Sequence, residues 1–326
     1  MFQGVRLVRF FAMALLPVAF SACGETPTMP SAVQAAAASK AVALKAPYLK
    51  HAASMLYIGS VGGFIDTFTL VKGQYEKTAQ LVDYNGPEGI HTDADANLYV
   101  ADQGIGTEGP GVGEILIYPK GSSNPERYIV PGYNVSDVVP AGIDSYLYST
   151  NFGPDGYFGP GSLSYYAPTG NNPVWTSVID NSFQAWGLVR DPKSTDVFVS
   201  YSVAHSSGGS VVRFLHGRRK AHVVASIGSP GGMAEDGSGN LLAASSGSIA
   251  IISQSGKSLG SISVSGRAYR MAFNKDYSLL YVTNYGNFDV EIFSYPAGTL
   301  VGTITSSDWS KYNWTDGIAA WPPPKQ

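Results

Sequence analysis

The sequence predicts an all-β protein, a six-bladed β-propeller whose C-terminal strand completes the first blade. Three observations predict it: a pair of strand-like runs that recurs at blade-like intervals, a half-pair left over at each end, and a composition of turn and strand formers. Charged residues are 14% of the 326-residue chain, low against the ~25% usual for soluble domains. Its 38 glycines and 20 tyrosines suit tight turns and aromatic strands.

The repeat carries most weight. One run recurs as Leu56-Tyr57-Ile58, Leu98-Tyr99-Val100, Leu147-Tyr148-Ser149, Val197-Phe198-Val199, Leu241-Leu242-Ala243 and Leu280-Tyr281-Val282. A second run precedes each of the last five: Glu88-Gly89-Ile90, Asp137-Val138-Val139, Trp186-Gly187-Leu188, Gly231-Gly232-Met233 and Tyr269-Arg270-Met271. Their middle residues are spaced by 49, 49, 45 and 38 positions, which suits a four-stranded blade. Two further β-rich runs follow each pair, as in Glu114–Tyr118 and Arg127–Val130.

The ends complete the ring. Leu56 has no inner strand before it, and the missing piece stands at Trp314-Thr315-Asp316-Gly317-Ile318-Ala319, 47 residues after the last anchor. A C-terminal strand paired into the N-terminal blade leaves no open sheet edge. Pro322-Pro323-Pro324 then ends it, because proline cannot donate to a ladder.

Residues 1–22 read as a bacterial export signal, with Arg6 and Arg9 before an apolar run from Phe10 to Phe20 that is too short for a bilayer span. Phe20-Ser21-Ala22-Cys23 resembles a lipoprotein lipobox, with Phe20 where leucine is usual. Cys23 is the chain's one cysteine, so it has no internal disulfide partner and is read as the lipidation site. Plain secretory cleavage after Ala22 is the competing reading. Gly24, in place of an inner-membrane-retaining aspartate, favours the outer membrane; the expected location is periplasmic or cell-surface. Residues 23–53 are rich in Ala, Pro, Ser and Thr and read as a flexible tether, with the propeller over 54–326.

Removing residues 1–22 leaves 19 basic against 24 acidic residues, a net charge of −5. That offers no footprint for nucleic acid. The one basic cluster, His216 to Lys220, lies between strand-like runs and reads as a hairpin turn.

Pro87-Glu88-Gly89-Ile90-His91-Thr92-Asp93-Ala94-Asp95-Ala96-Asn97-Leu98-Tyr99-Val100-Ala101-Asp102 resembles the NHL repeat and, more loosely, the SMP-30/gluconolactonase propellers. Asp236-Gly237-Ser238-Gly239-Asn240-Leu241 repeats its turn. The resemblance extends over the periodic pattern and implies the fold. The SMP-30-like lactonases hold a divalent metal with a glutamate, an asparagine and an aspartate at the channel mouth. Glu88 and Asp316 match in type and in the glycine that follows, whereas no anchor triplet begins with asparagine.

Independently of that resemblance, the residue before each inner-strand anchor should line the channel mouth. Reading from blade one, these are Asp316, Glu88, Asp137, Trp186, Gly231 and Tyr269, a carboxylate in three consecutive blades. Glu88, Asp137 and Asp316 are therefore candidate ligands for a divalent cation such as Ca²⁺, Mg²⁺, Mn²⁺ or Zn²⁺. Asp102, Asn151 and Asn284 end second strands on the same side, beside the long loops 103–113 and 152–161. With Trp186 and Tyr157 as stacking walls they form a candidate site for a polar ligand, although Asp and Asn at strand ends also cap turns.

Two motif matches lack their structural context. Gly104–Gly109 has dinucleotide-loop spacing but leads into a strand rather than a helix. Gly256–Gly260 has nucleophile-elbow spacing but lies in a hairpin. His91, inside an inner strand, reads as a satisfied core residue. The expectation is an exported, lipid-anchored module that binds a protein or a small polar ligand, without an identified reaction. Its rivals are a metal-dependent lactonase-type hydrolase using Glu88, Asp137 and Asp316, and a purely structural scaffold.

Overall fold

Second-strand runs such as Leu98–Asp102 and Leu147–Asn151 are buried on both faces, because a neighbouring blade covers each side. Outermost strands such as Ser258–Ser263 are mostly exposed. That contrast is why the second runs stand out as near-continuous apolar triplets while the rims do not. The computed structural model describes residues 44–60, 62–82, 86–104, 113–142, 146–153, 159–203, 206–306, 309 and 315–324.

Six antiparallel sheets of four strands each form the blades. From blade one, the inner strands are Ile318–Trp321, Pro87–Thr92, Val135–Pro140, Ser182–Arg190, Met233–Glu235 and Ala268–Phe273. Each packs beside the inner strands of the two adjacent blades, so the ring closes. Closure uses the expected device: Ile318–Trp321 pairs antiparallel with Met55–Ser60, with Ile58 opposite Ile318 and Met55 opposite Trp321. The basic cluster begins in a 3-10 turn at Leu215–Gly217 between two strands, as its position suggested.

Near the axis the strands crowd, and the sequence answers with small residues. A Cβ on Gly187 would stand 2.4 Å from the Met233 amide nitrogen, and one on Gly232 would stand 2.7 Å from Arg270 Cδ. The residue after each second-strand triplet is likewise small or hydroxylated: Gly59, Ala101, Thr150, Ser200, Ala244 and Thr283. The three hydroxyls donate to the next blade, within its inner strand or two residues before it: Thr150 to Trp186 O (3.1 Å), Ser200 to Gly231 O (2.5 Å) and Thr283 to Asp316 O (2.8 Å). They satisfy carbonyls that lack a ladder partner where the blades converge.

The packed body begins earlier than the sequence suggested. Residues 44–53, expected as the end of a flexible tether, lie against blades one and six. Ala46–Leu49 forms one helical turn after Lys45. Leu44 and Ala53 are buried in the same core cluster as Phe68, Tyr281 and Trp309. The Ala53 amide donates to Tyr281 Oη (2.9 Å), and Tyr75 Oη donates to the Ala53 carbonyl (2.8 Å). His51 pairs with Asp276 at 2.5 Å, and Asn274 Nδ2 donates to the His51 carbonyl. The composition concealed this because the strap needs no amphipathic period: isolated side chains enter gaps between two blades. Gly302 leaves room for Leu44, since a Cβ there would stand 2.9 Å from Leu44 Cδ2.

Leu44→Ala should therefore lower unfolding stability by about 2–4 kcal/mol, the range for truncating a buried leucine, as measured by urea titration. An unchanged midpoint would mean that the strap is not part of the cooperative unit.

Candidate functional site

The inner strands carry the expected channel residues to the axis. Glu88, Asp137 and Asp316 are all nearly inaccessible, at 0%, 2% and 2% exposure. Their neighbour is a residue that the sequence reading passed over. Arg270, on the inner strand of blade six, is also buried and extends across the axis. Its Nη2 lies 3.0 Å from Glu88 Oε1 and donates to both Ser136 O and Ser136 Oγ at 2.8 Å. Its Nη1 reaches Asp137 Oδ2 at 3.4 Å and Trp186 O at 3.0 Å. One guanidinium thus joins blade six to blades two, three and four.

Other donors complete the cluster. Asp137 Oδ2 accepts the Leu188 amide and Oδ1 the Val138 amide, each at 3.0 Å. His91 Nε2 lies 3.1 Å from Asp137 Oδ1. His91 therefore lines the channel, 30% exposed, instead of being sealed in the core. Tyr269 donates its hydroxyl to Glu88 Oε1.

Burial sets the protonation of this group. Asp316 is held well above the ordinary carboxylate range, first by desolvation and then by the Glu88 charge, with Arg270 pulling the other way. Glu88 is also raised by desolvation, against the opposing pull of Arg270 and the Tyr269 hydrogen bond. Arg270 is raised although burial opposes its charge, because Asp137 and Glu88 surround it. Asp316 thus favours its neutral form beside an ionic cluster.

This arrangement does not fit the divalent cation that the three carboxylates suggested. A cation bridging Glu88 and Asp137 would have to displace the guanidinium already bonded to both. Asp137 spends both oxygens on backbone amides. Among the described residues no group of three His, Cys, Asp or Glu side chains is arranged to hold a metal ion. The physical reason is local: Arg270 stands where four other blades have glycine, at Gly317, Gly89, Gly187 and Gly232. An arginine in that register was the signal that could have been read from the sequence.

The candidate ligand residues separate in the same way. Asp102, Asn151 and Asn284 are each 0% exposed. Asp102 Oδ1 accepts the Gly104 amide at 2.8 Å. Asn151 donates to Ser162 and Ser164 hydroxyls at 3.0 Å. Asn284 Oδ1 accepts the Arg267 amide (3.0 Å) and the Gly286 amide (3.2 Å). All three hold turns or strand ends. Tyr157 lies outside the described residues, as do 105–112 and 154–158 of the two long loops.

Trp186 is different. It meets Phe152 edge-on at 4.9 Å and Tyr269 at 6.0 Å, and its Nε1 donates to Ser202 Oγ at 3.3 Å. These aromatics lie over the Arg270 cluster at the end of the channel where inner strands begin, here called the top. Beside them runs a groove of about 430 Å³, lined by Trp186, Ser202, Ser207, Ser229, Pro230 and Arg267 among others. Arg267 stacks over Tyr285 at 5.5 Å. Only Trp186 of the four described candidates faces this space.

No family model and no curated protein matches the chain. Solved structures do. A structure of a nidogen/laminin complex is similar with a TM-score of 0.62 at 13% identity, over 81% of this chain and 97% of that one. Hydrazine synthase of Kuenenia stuttgartiensis gives 0.58 at 14% identity, over 74% and 81%. A gluconolactonase from Xanthomonas campestris gives 0.53 at 15% identity, over 82% and 89%. At such identities the likeness shows the fold alone, a six-bladed propeller shared by proteins of different activities.

Arg270→Met should cost about 3–5 kcal/mol in urea unfolding at pH 7.5, because buried carboxylates are left unpaired. The loss should shrink at pH 5. Without the opposing pull of Arg270, desolvation raises Glu88 further; a raised carboxyl is tolerated while protonated and destabilises as pH climbs through its folded value. Equal losses at both pH values would reduce Arg270 to packing.

Proposed function

We propose that this chain is an exported, lipid-anchored binding propeller whose top-face groove takes a small hydroxylated, anionic ligand. The observation that carries the reading is the groove itself, with an aromatic wall at Trp186, serine hydroxyls along it and the Arg267 guanidinium at one side. A flat aromatic wall beside hydroxyls suits a sugar-like face, and a guanidinium suits a carboxylate or phosphate on it. Binding rather than turnover is favoured because the axial carboxylates are already engaged. Glu88 and Asp137 share Arg270, and Asp316 is held toward its neutral form. A metal-dependent lactonase would need those carboxylates free to carry a cation.

Anchoring rests on Cys23 at the end of the lipobox-like Phe20-Ser21-Ala22-Cys23. An acylated cysteine attached by residues 24–43 to the strap would hold the propeller near a membrane surface. Among the described residues no helix is long and apolar enough to cross a membrane.

Calorimetry against a panel of uronic acids, aldonic acids and sugar phosphates tests the binding reading. A binder should lose at least ~10-fold in affinity in Trp186→Ala and in Arg267→Met, in line with removing a stacking wall or a charged hydrogen bond. Lack of binding across the panel would overturn the small-ligand reading and turn attention to a protein partner. Separately, Cys23→Ser should move the protein from the membrane to the soluble exported fraction; unchanged membrane association would refute lipidation at that residue.

A further inference from the structure

Below Arg270 the channel does not end. Its lower part is a cavity of about 130 Å³ that reaches the opposite face of the ring. The walls are mainly apolar: Ile90, Leu188, Met233, Met271, Phe273 and Ile318. The inner end narrows to a small void lined by His91, Asp137 and Arg270. The Arg270–Glu88–Asp137 cluster therefore makes it a blind tunnel, separate from the top-face groove. A cavity of this size and character holds a benzene-sized guest.

The rim is not apolar. Glu235, on the inner strand of blade five, lines it, and Glu235 Oε2 is buried without a hydrogen-bond partner. Two further carboxylates stand near, Asp191 on blade four and Asp236 on blade five, and Tyr277 of blade six lines the same rim. Those two aspartates are already engaged. Asp191 accepts the Lys193 amide, the Ser194 hydroxyl and Gln254 Nε2. Asp236 accepts the amides of Ser238 and Asn240, Asn240 Nδ2 and the Tyr295 hydroxyl. Glu235 alone of the three has an oxygen with nothing to accept from. Two cations are also near. Lys193 exerts a weaker opposing pull on Glu235. Arg190 sits on the rim, but its guanidinium lies beside Gly142, where a Cβ would stand 2.6 Å from Nη1.

We propose that this tunnel binds a small alkylammonium ion, its chain inserted among Ile90, Met233, Met271 and Ile318 and its charge held at the rim by Glu235. Polarity fixes the orientation. Arg270 at the blind end repels a cation, whereas the rim carries the unpartnered carboxylate; a buried carboxylate gains most from a charge-assisted donor. The methionines adapt to an unbranched chain. Binding at this site is independent of the groove proposed above, since the axial cluster lies between them.

Protonation gives the site a signature. Desolvation, reinforced by the Asp191 and Asp236 charges and opposed by Lys193, pushes Glu235 up to about 7. An ammonium ion prefers the ionised form, so affinity should rise as pH climbs through that value. Between pH 6 and pH 8 the ionised fraction, and with it the affinity, grows about tenfold.

The test is calorimetric titration of the mature chain with n-pentylammonium, with 1-pentanol as the neutral probe of the same length. The expected result is saturable 1:1 binding of the ammonium at pH 8, weaker by about tenfold at pH 6 and by at least ~10-fold in Glu235→Gln. Trp186→Ala should bind it unchanged. N-pentyltrimethylammonium, which cannot lose a proton, should show the same pH trend, placing the titration on the protein. Equal affinity for pentanol and pentylammonium, indifference to Glu235→Gln, or no heat at millimolar ligand would each overturn the proposal.

Discussion

The Arg270 guanidinium is the contact on which the centre of the molecule depends. A six-bladed ring converges on its axis, and in four blades the chain answers with glycine at the anchor position. Blade six instead inserts an arginine, which fills the axis and bonds to blades two, three and four. A buried ion pair gains little net stability over an apolar substitute, because desolvation offsets the attraction. Its value here is geometric. The guanidinium has a planar set of donors that only one arrangement of Glu88, Ser136, Asp137 and Trp186 O satisfies, and that arrangement fixes how distant blades sit around the ring.

The same contact decides which carboxylates remain chemically available. Glu88 and Asp137 are spoken for, and Asp316, left without a cation of its own, is raised by burial. Burial holds Asp316 toward its neutral form, which limits the charge on the axis where Glu88 and Asp137 share the guanidinium of Arg270. Three carboxylates at equivalent positions in consecutive blades looked like a metal cage in the sequence. Their environments differ: Glu88 and Asp137 share one guanidinium, while Asp316 is held toward its neutral form.

The blade count, the closure and the inner and second strands were all legible in the sequence. They were legible because they depend on burial from both sides, which writes an apolar triplet at every repeat. The turn Asp236–Asn240 was legible for a different reason. Its aspartate accepts the amides of Ser238 and Asn240 in a geometry set within five residues, and Asp93 does the same for Asp95 and Asn97. What stayed hidden depends on contacts distant in sequence. Arg270 meets Glu88 across 182 positions, and His51 meets Asp276 across 225. Neither leaves a period. Asp102, Asn151 and Asn284 were placed on the right strands, but strand-end position alone could not separate a ligand-facing side chain from one that caps its own turn.

Sealing the axis also determines where specificity can reside. An open propeller channel would let one ligand touch both faces, and changes on either rim would alter the same site. Here the top groove and the lower tunnel share no lining residue, and the Arg270 cluster lies between them. Trp186 belongs to the groove and also accepts Arg270 Nη1 through its carbonyl, while His91 belongs to the tunnel and meets Asp137. Coupling between the two faces would therefore have to pass through a buried ionic group. Communication along the axis would require that cluster to have two arrangements whose balance both faces bias. The two faces are thus separated by one side-chain cluster, and a substitution in the lining of one touches no lining residue of the other.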